Sequence, residues 1–231
     1  MKNIFITGVG SGLGLALAKK YLEIGERVYA VGRDLPPQLD AYPNFFFFPY
    51  DLWETFTLKA QISEFVSNHH FDIAILNAGI LGEIKTLKET TVEAIRMVMD
   101  VNVWANKELI DTLDEFSTVK QIVGFSSGAA VNGSKGWGAY SLSKSSLNML
   151  INVYAKELPH IHFTALAPGV IRTPMVEHIL EEVDRSTYPS AQRLAEGPIL
   201  SPEQAALNLI SVFDKLLGYE SGSFIDIRSM E

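Results

Sequence analysis

Tyr140 and Lys144 stand one helical turn apart, and Tyr140 lies thirteen residues beyond Ser127 of the Ser126-Ser127 pair. A phenol can give a proton to an oxygen that is gaining negative charge. An ammonium four residues on shares its helix face and favours the tyrosinate, which lowers a phenol pKa from ~10 toward neutral pH. Ser127 follows a short apolar strand pattern and can donate its hydroxyl to the same oxygen, so the two hydroxyls would stabilise an oxyanion. Ser126 is expected to bond either to the backbone or to side chains that support the site. Asn102 sits between Val101 and Val103 in a helical pattern, where its amide either bends the helix or holds a water connecting Lys144 to solvent. This is acid–base machinery for interconverting a carbonyl and an alcohol, provided a hydride donor lies beside it.

The opening residues answer that need. Thr7-Gly8-Val9-Gly10-Ser11-Gly12-Leu13-Gly14 joins an apolar strand to a helical pattern. Gly8 permits a tight turn, Gly12 lets a diphosphate approach the backbone, and Gly14 lets helix and strand pack closely. The helix N-terminus adds unpaired N–H groups. The second strand ends Val31-Gly32-Arg33-Asp34, where an acidic side chain would usually accept from an adenosine 2′-hydroxyl. Here Gly32 leaves room and Arg33 offers donors to a 2′-phosphate, with Ser11 adding a hydroxyl, so NADP(H) is expected. Asp34 turned inward would favour NAD(H) instead. Asp51 either accepts from the adenine amino group, with Leu52 beside the base, or caps the helix that begins near Glu54. Asn77-Ala78-Gly79 lets the backbone pass close to adenosine while the Asn77 amide braces adjoining strands.

The elements that must position these groups alternate. Strand patterns cover 2–7, 27–31, 44–49, 71–76, 121–126, 162–167 and 223–227, and helical periodicity covers 13–24, 58–66, 92–116, 140–158 and 202–217. Runs such as Ile73-Ala74-Ile75-Leu76 suit strands covered on both faces. The expectation is an α/β fold: a single Rossmann domain over 1–231, with a doubly wound parallel sheet of about seven strands and helices on both faces. The run Phe45 to Phe48 is too short to cross a membrane and is expected to be a core strand. Residues 172–198 carry a separate apolar helical stretch before Pro189 and are expected to cover the substrate. Trp137, Ala130, Val131, Met175 and Tyr188 are candidates to line its pocket, and Arg172 or Lys135 to bind a substrate acid.

These residues together resemble the short-chain dehydrogenase/reductase family. Thr7 to Gly14 matches its cofactor loop, Asn77-Ala78-Gly79 its N-A-G element, and Asn102, Ser127, Tyr140 and Lys144 its catalytic tetrad. Pro168-Gly169 and Thr173 look like its P-G segment; the resemblance implies that the backbone after Gly169, at Val170, and the Thr173 hydroxyl contact the nicotinamide amide. It further implies that Lys144 and Tyr140 also touch the cofactor, that Asn102 serves a water relay, and that the chain forms a homodimer or homotetramer through its two long helices. Leu76 departs from the family pattern, which often has an Asn there. Ser201-Pro202-Glu203 and Gly222 to Ile227 resemble the NADP(H)-preferring carbonyl reductase branch that includes benzil and sepiapterin reductases.

The remaining composition narrows the class. The 231 residues are 47% apolar with a formal charge of -8, which opposes a nucleic-acid or anionic-membrane surface. Without cysteine there is no disulfide framework or thiol nucleophile, and the start runs directly into a strand, so a cytoplasmic protein is expected. His69-His70 and His160/His162 lack further ligands, so no metal is expected. The leading expectation is NADP(H)-dependent reduction of a small ketone, diketone or related carbonyl compound. NAD-dependent alcohol oxidation and a non-catalytic dinucleotide sensor are the alternatives.

Overall fold

The structure is a computed structural model and describes residues 1–230. β1 (Asn3–Thr7) runs through the glycine loop into α1 (Gly12–Glu23), followed by β2 (Arg27–Gly32), the one-turn α2 (Pro37–Asp40) and β3 (Phe45–Pro49). Then come α3 (Thr55–Val66), the short β4 (His70–Phe71) and β5 (Ile73–Leu76). In the second half, α4 (Val92–Met99) and α5 (Ala105–Phe116) flank a π-helical turn at Asp100–Trp104. β6 (Thr118–Val119), β7 (Gln121–Phe125), α6 (Gly138–Glu157) and β8 (His162–Ala167) lead to α7 (Pro174–Glu182), α8 (Pro189–Glu196), α9 (Pro202–Leu216) and β9 (Ser223–Asp226). The Ser201-Pro202-Glu203 motif starts α9: Ser201 Oγ accepts from the Gln204 N–H at 3.2 Å, and the Gln204 side chain accepts from the Ser201 N–H at 3.1 Å.

Seven strands form one parallel sheet in the order β3-β2-β1-β5-β7-β8-β9. Every residue of β5 and β7 is buried, because helices cover both faces. α1 and α9 close one face around Leu17, Leu209 and Phe213; α3, α5 and α6 close the other around Leu58, Leu109 and Leu147. This is the single doubly wound Rossmann domain that the strand–helix alternation predicts. The strand order reverses between β1 and β5, which opens a crevice at their carboxyl ends and puts the glycine loop and Asn77 on its rim.

Three local expectations need correction. The pattern over 71–76 is two strands: the Asp72 carboxylate accepts from the Asn3 N–H at 2.8 Å, and His70–Phe71 pairs with Thr118–Val119 as a separate two-stranded sheet. The phenylalanine run is a strand, but at the sheet edge, with β2 as its only neighbour among the described residues; Phe46 is 39% exposed and stacks on Tyr29 at 4.8 Å. The helix expected over 92–116 is interrupted at its middle, where the buried Asn102 amide bonds away from the helix axis. No helix among the described residues is long and apolar enough to cross a membrane.

Candidate active site

The Thr7 side chain and the Asn77 amide join the two strands at the switch point. Asn77 Nδ2 donates to the Thr7 and Gly8 carbonyls at 2.9 and 3.0 Å, and Thr7 Oγ1 accepts from the Asn77 and Ala78 N–H groups, both at 3.1 Å. Thr7 was not singled out from the sequence, and its bonds leave Leu76 free to be an ordinary buried strand residue. Gly8 turns the chain at φ +73° and donates its N–H to Val31 at 2.9 Å. Gly14 packs against this junction: a Cβ there would lie 2.5 Å from Asn77 Nδ2, whereas one on Gly10 would meet nothing within 4 Å. α1 begins at the cleft wall, and its N-cap Ser11 makes no side-chain cap bond, which leaves the first helical N–H groups to an anion. Backbone donors, a helix N-terminus and the absence of Cβ bulk fit a dinucleotide diphosphate.

The cleft has a volume of about 1070 Å³, enough for a dinucleotide with a small second molecule. It gathers residues from every strand end near the switch point. Gly8, Ser11, Gly12 and Leu13 line it beside Gly32, Arg33, Asp51 and Leu52; Asn77, Ala78 and Gly79 continue the lining toward Ser127, Tyr140 and Lys144. Pro168, Gly169, Val170 and Thr173 complete the far side, where Thr173 Oγ1 caps α7 and its methyl carbon lies 3.0 Å from where a Gly12 Cβ would be. Arg33 is exposed at the end of β2, with Asp34 beside it on the same lining. Asp51 also accepts from the Trp53 N–H at 3.1 Å, so it organises the turn before α3 while facing the cleft.

Of the residues expected to act in catalysis or to bind the cofactor, Asn102 alone lies outside the lining. It is fully buried, and its side chain accepts from the Ile80 N–H at 2.8 Å and donates to the Ile80 carbonyl and Ser143 Oγ, each at 2.9 Å. Ser143 in turn donates to the Tyr140 carbonyl at 2.8 Å, so Asn102 ties the segment after β5 to the turn of α6 that carries Tyr140. The Asn102 carbonyl, displaced by the π turn, accepts from Asn106 Nδ2 at 2.8 Å. Neither Ser143 nor Asn106 carried a signal in the sequence beyond its place on a helix.

Lys144 is 4% exposed; its Nζ donates to the Phe125 carbonyl at 2.7 Å and lies 5.7 Å from the Tyr140 ring centroid. Burial pulls the ammonium down to about 8. The Tyr140 phenol is pushed above its ordinary value by burial, partly offset by the Ser127 hydroxyl, whose Oγ accepts from the Ala129 N–H at 3.1 Å. The direction is opposite to the lowering expected from Lys144, and its largest cause is removal of the phenol from water. Ser126 Oγ donates to Asn148 at 2.5 Å, a supporting bond as expected.

The segment 172–198 packs as its own apolar cluster, with Ile179, Ala191, Met175 and Tyr188 against Leu81 and Trp137. Trp137 and Met175 line the cleft, and the Trp137 ring meets the Tyr140 ring at 6.3 Å. Tyr188, Ala130 and Val131 do not line it: Tyr188 packs over Gly136 and Lys135, and Val131 is 61% exposed. Arg172 and Lys135 are likewise outside the lining, whereas Arg193 and Arg228, neither marked in the sequence, are part of it.

The family profile described as short chain dehydrogenase matches residues 2–184. The chain belongs to that family. A benzil reductase, (S)-benzoin forming, of Bacillus cereus is 30% identical over 229 residues, covering 89% of this chain and 91% of that protein. An NADPH-dependent pterin aldehyde reductase of Arabidopsis thaliana is 28% identical, covering 76% of this chain and 77% of that one. The crystal structure of a short chain dehydrogenase/reductase from Saccharomyces cerevisiae superposes with a TM-score of 0.84 at 24% identity, over 98% of this chain and 96% of that chain, a likeness of fold. As a member of the family, the chain is an oxidoreductase enzyme acting on small carbonyl or alcohol substrates.

Proposed function

We propose that this short-chain dehydrogenase/reductase is an NADP(H)-dependent carbonyl reductase in which Tyr140 gives the proton to the substrate oxygen. The observation that carries the reading is the meeting of Ser127, Tyr140 and Lys144 on one cleft wall, with the buried Lys144 beside the Tyr140 ring. When bound, the dinucleotide supplies the hydride. Ser127 and Tyr140 hold the carbonyl oxygen between two donors, and the charge that grows there draws the phenolic proton. Lys144 sits where it favours the resulting tyrosinate, and its other donors are available to ribose hydroxyls. Asn102, through Ile80 and Ser143, keeps α6 in register with the segment after β5 and stands beside the path of proton return.

The glycine loop, Ser11 and the N-terminus of α1 would hold the diphosphate, Asp51 and Leu52 the adenine, and Val170 and Thr173 the nicotinamide amide. Arg33 would meet the 2′-phosphate; its exposed guanidinium on the cleft lining supports NADP(H). Asp34 on the same lining supports the alternative of an NAD(H)-dependent alcohol dehydrogenase. The apolar wall of Trp137, Met175 and Ile179 suits a small ketone or diketone, covered by 172–198. The exposed Met97, Trp104, Met149 and Val153 on α4, the π turn and α6 support a homodimer or homotetramer, and the absence of cysteine suits the cytoplasm.

The test follows oxidation of NADPH over a panel of ketones and diketones, with Tyr140→Phe alongside. Turnover that Tyr140→Phe matches would remove the acid role, and tighter binding of NADH than NADPH would remove the cofactor assignment. NADPH binding without oxidation across the panel would leave the dinucleotide sensor.

A further inference from the structure

The cleft lining is divided by charge. Its two carboxylates among the described residues, Asp34 and Asp51, both follow strands at the adenosine end, after β2 and β3. The lining away from that end contains two guanidinium groups, Arg193 on α8 and Arg228 in the turn after β9, and no carboxylate. The two arginines differ. Arg228 is neutralised by Asp226: Nε donates to one carboxylate oxygen at 2.9 Å and a terminal nitrogen to the other at 2.5 Å. Arg193 has no ion pair among the described residues, and its side-chain hydrogen bond is a long one of 3.5 Å to Ser134 Oγ. Ser190, three residues earlier on α8, also lines the cleft, and its buried hydroxyl has no partner. Between this polar corner and Tyr140 stands Trp137, whose backbone N–H donates to the Ser134 carbonyl at 3.2 Å and whose ring meets Tyr140 at 6.3 Å.

We propose that Arg193 binds a carboxylate carried by the substrate, so that the enzyme acts on keto acids whose acid group is separated from the reacting carbonyl by an apolar portion lying against Trp137. The inference rests on the carbonyl reductase reading and names the substrate class for it. In a protein of formal charge -8, an unpaired guanidinium in a cleft is a local attractor for an anion. Its planar fork matches a carboxylate, and one unpaired cation beside uncharged hydroxyls matches a single negative charge. Arg193 is exposed on the lining while the Trp137 ring lies against Tyr140, which makes the acid distal to the carbonyl. Reduction takes a hydride and a proton to the ketone and leaves the carboxylate unchanged.

The experiment uses the full chain loaded with NADP(H) and compares benzoylbutyrate with its methyl ester, by calorimetric binding and by NADPH oxidation. The acid is expected to bind about tenfold more tightly than the ester, a difference typical of one charge-assisted contact. Arg193→Gln should bring the ratio to about one, and Arg193→Lys should retain part of it, with NADPH affinity as the control for folding. A ratio near one in the unsubstituted protein, or a ratio unmoved by Arg193→Gln, overturns the inference. If the ester is reduced while the ratio stays near one, the carboxylate site falls and the reductase reading stands. If neither compound oxidises NADPH while the binding ratio follows Arg193, the carboxylate site stands and the reductase reading falls.

Discussion

The two walls of the cleft are built by different means. The wall at β1 and α1 is made of backbone: Gly8 at positive φ, Gly14 against Asn77, and a helix N-terminus without a side-chain cap. The wall at β7 and α6 is made of side chains whose chemistry depends on burial: a lysine pulled down to about 8, a phenol pushed up, and an asparagine wholly inside. On the proposed reading the first wall recognises by shape and is broken by adding an atom. The second would act by proton affinity and is broken by removing one. Substitutions on each side should therefore fail in different ways.

The largest effect is expected from Tyr140→Phe, which keeps the ring and deletes the proton: turnover should fall by ~10³-fold with NADPH affinity nearly unaltered. A kcat within a few fold of the parent would place the proton donor elsewhere. On the backbone wall, Gly14→Ala should cost about 2–3 kcal/mol of stability, because its Cβ would press on Asn77 and the Gly8 carbonyl. Gly10→Ala, with nothing within 4 Å of its Cβ, should change stability by under ~0.5 kcal/mol. Equal urea midpoints for the two would break the contrast between the walls.

Lys144→Met sharpens the comparison through pH. Because the folded-state pKa is about 8, below the ordinary 10.5, the folded chain binds fewer protons than the unfolded one between those values, and stability rises with pH across that window. Below it the full cost of the buried charge is present, roughly 3 kcal/mol, offset by ~1–2 kcal/mol for the bond to Phe125. Lys144→Met should thus be about 1–2 kcal/mol more stable than the parent at pH 7 while losing activity, and its advantage should vanish by about pH 10.5. Denaturation at a series of pH values checks this, and a constant difference would deny the depressed pKa. At the exposed rim, Arg33→Ala should weaken NADPH binding about tenfold and leave NADH binding nearly unchanged. Equal losses for both cofactors would assign Arg33 a role unrelated to the 2′-phosphate.

The alternation of strands and helices, the glycine loop and the Tyr140–Lys144 spacing were legible in the chain because each depends on neighbours close in sequence. Strand period, helix period and a glycine-rich turn are local properties, and they suffice to predict the parallel sheet and the glycine loop, whereas the lining at Pro168, Gly169, Val170 and Thr173 was expected only from the family resemblance. What depends on distant partners was not legible. The Phe45–Phe48 pattern looks the same in a central strand and an edge strand, and only pairing with β2 alone makes it an edge. The direction of the Tyr140 shift follows from how much protein covers the phenol, which i+4 spacing does not report. Whether the Asn102 amide bends the helix or holds a water was not legible; the fold brings Ile80 and Ser143 to it at the π turn. Arg193 and Arg228 enter the cleft from segments far along the chain, and whether each guanidinium is paired was decided only when the fold put Asp226 beside one of them.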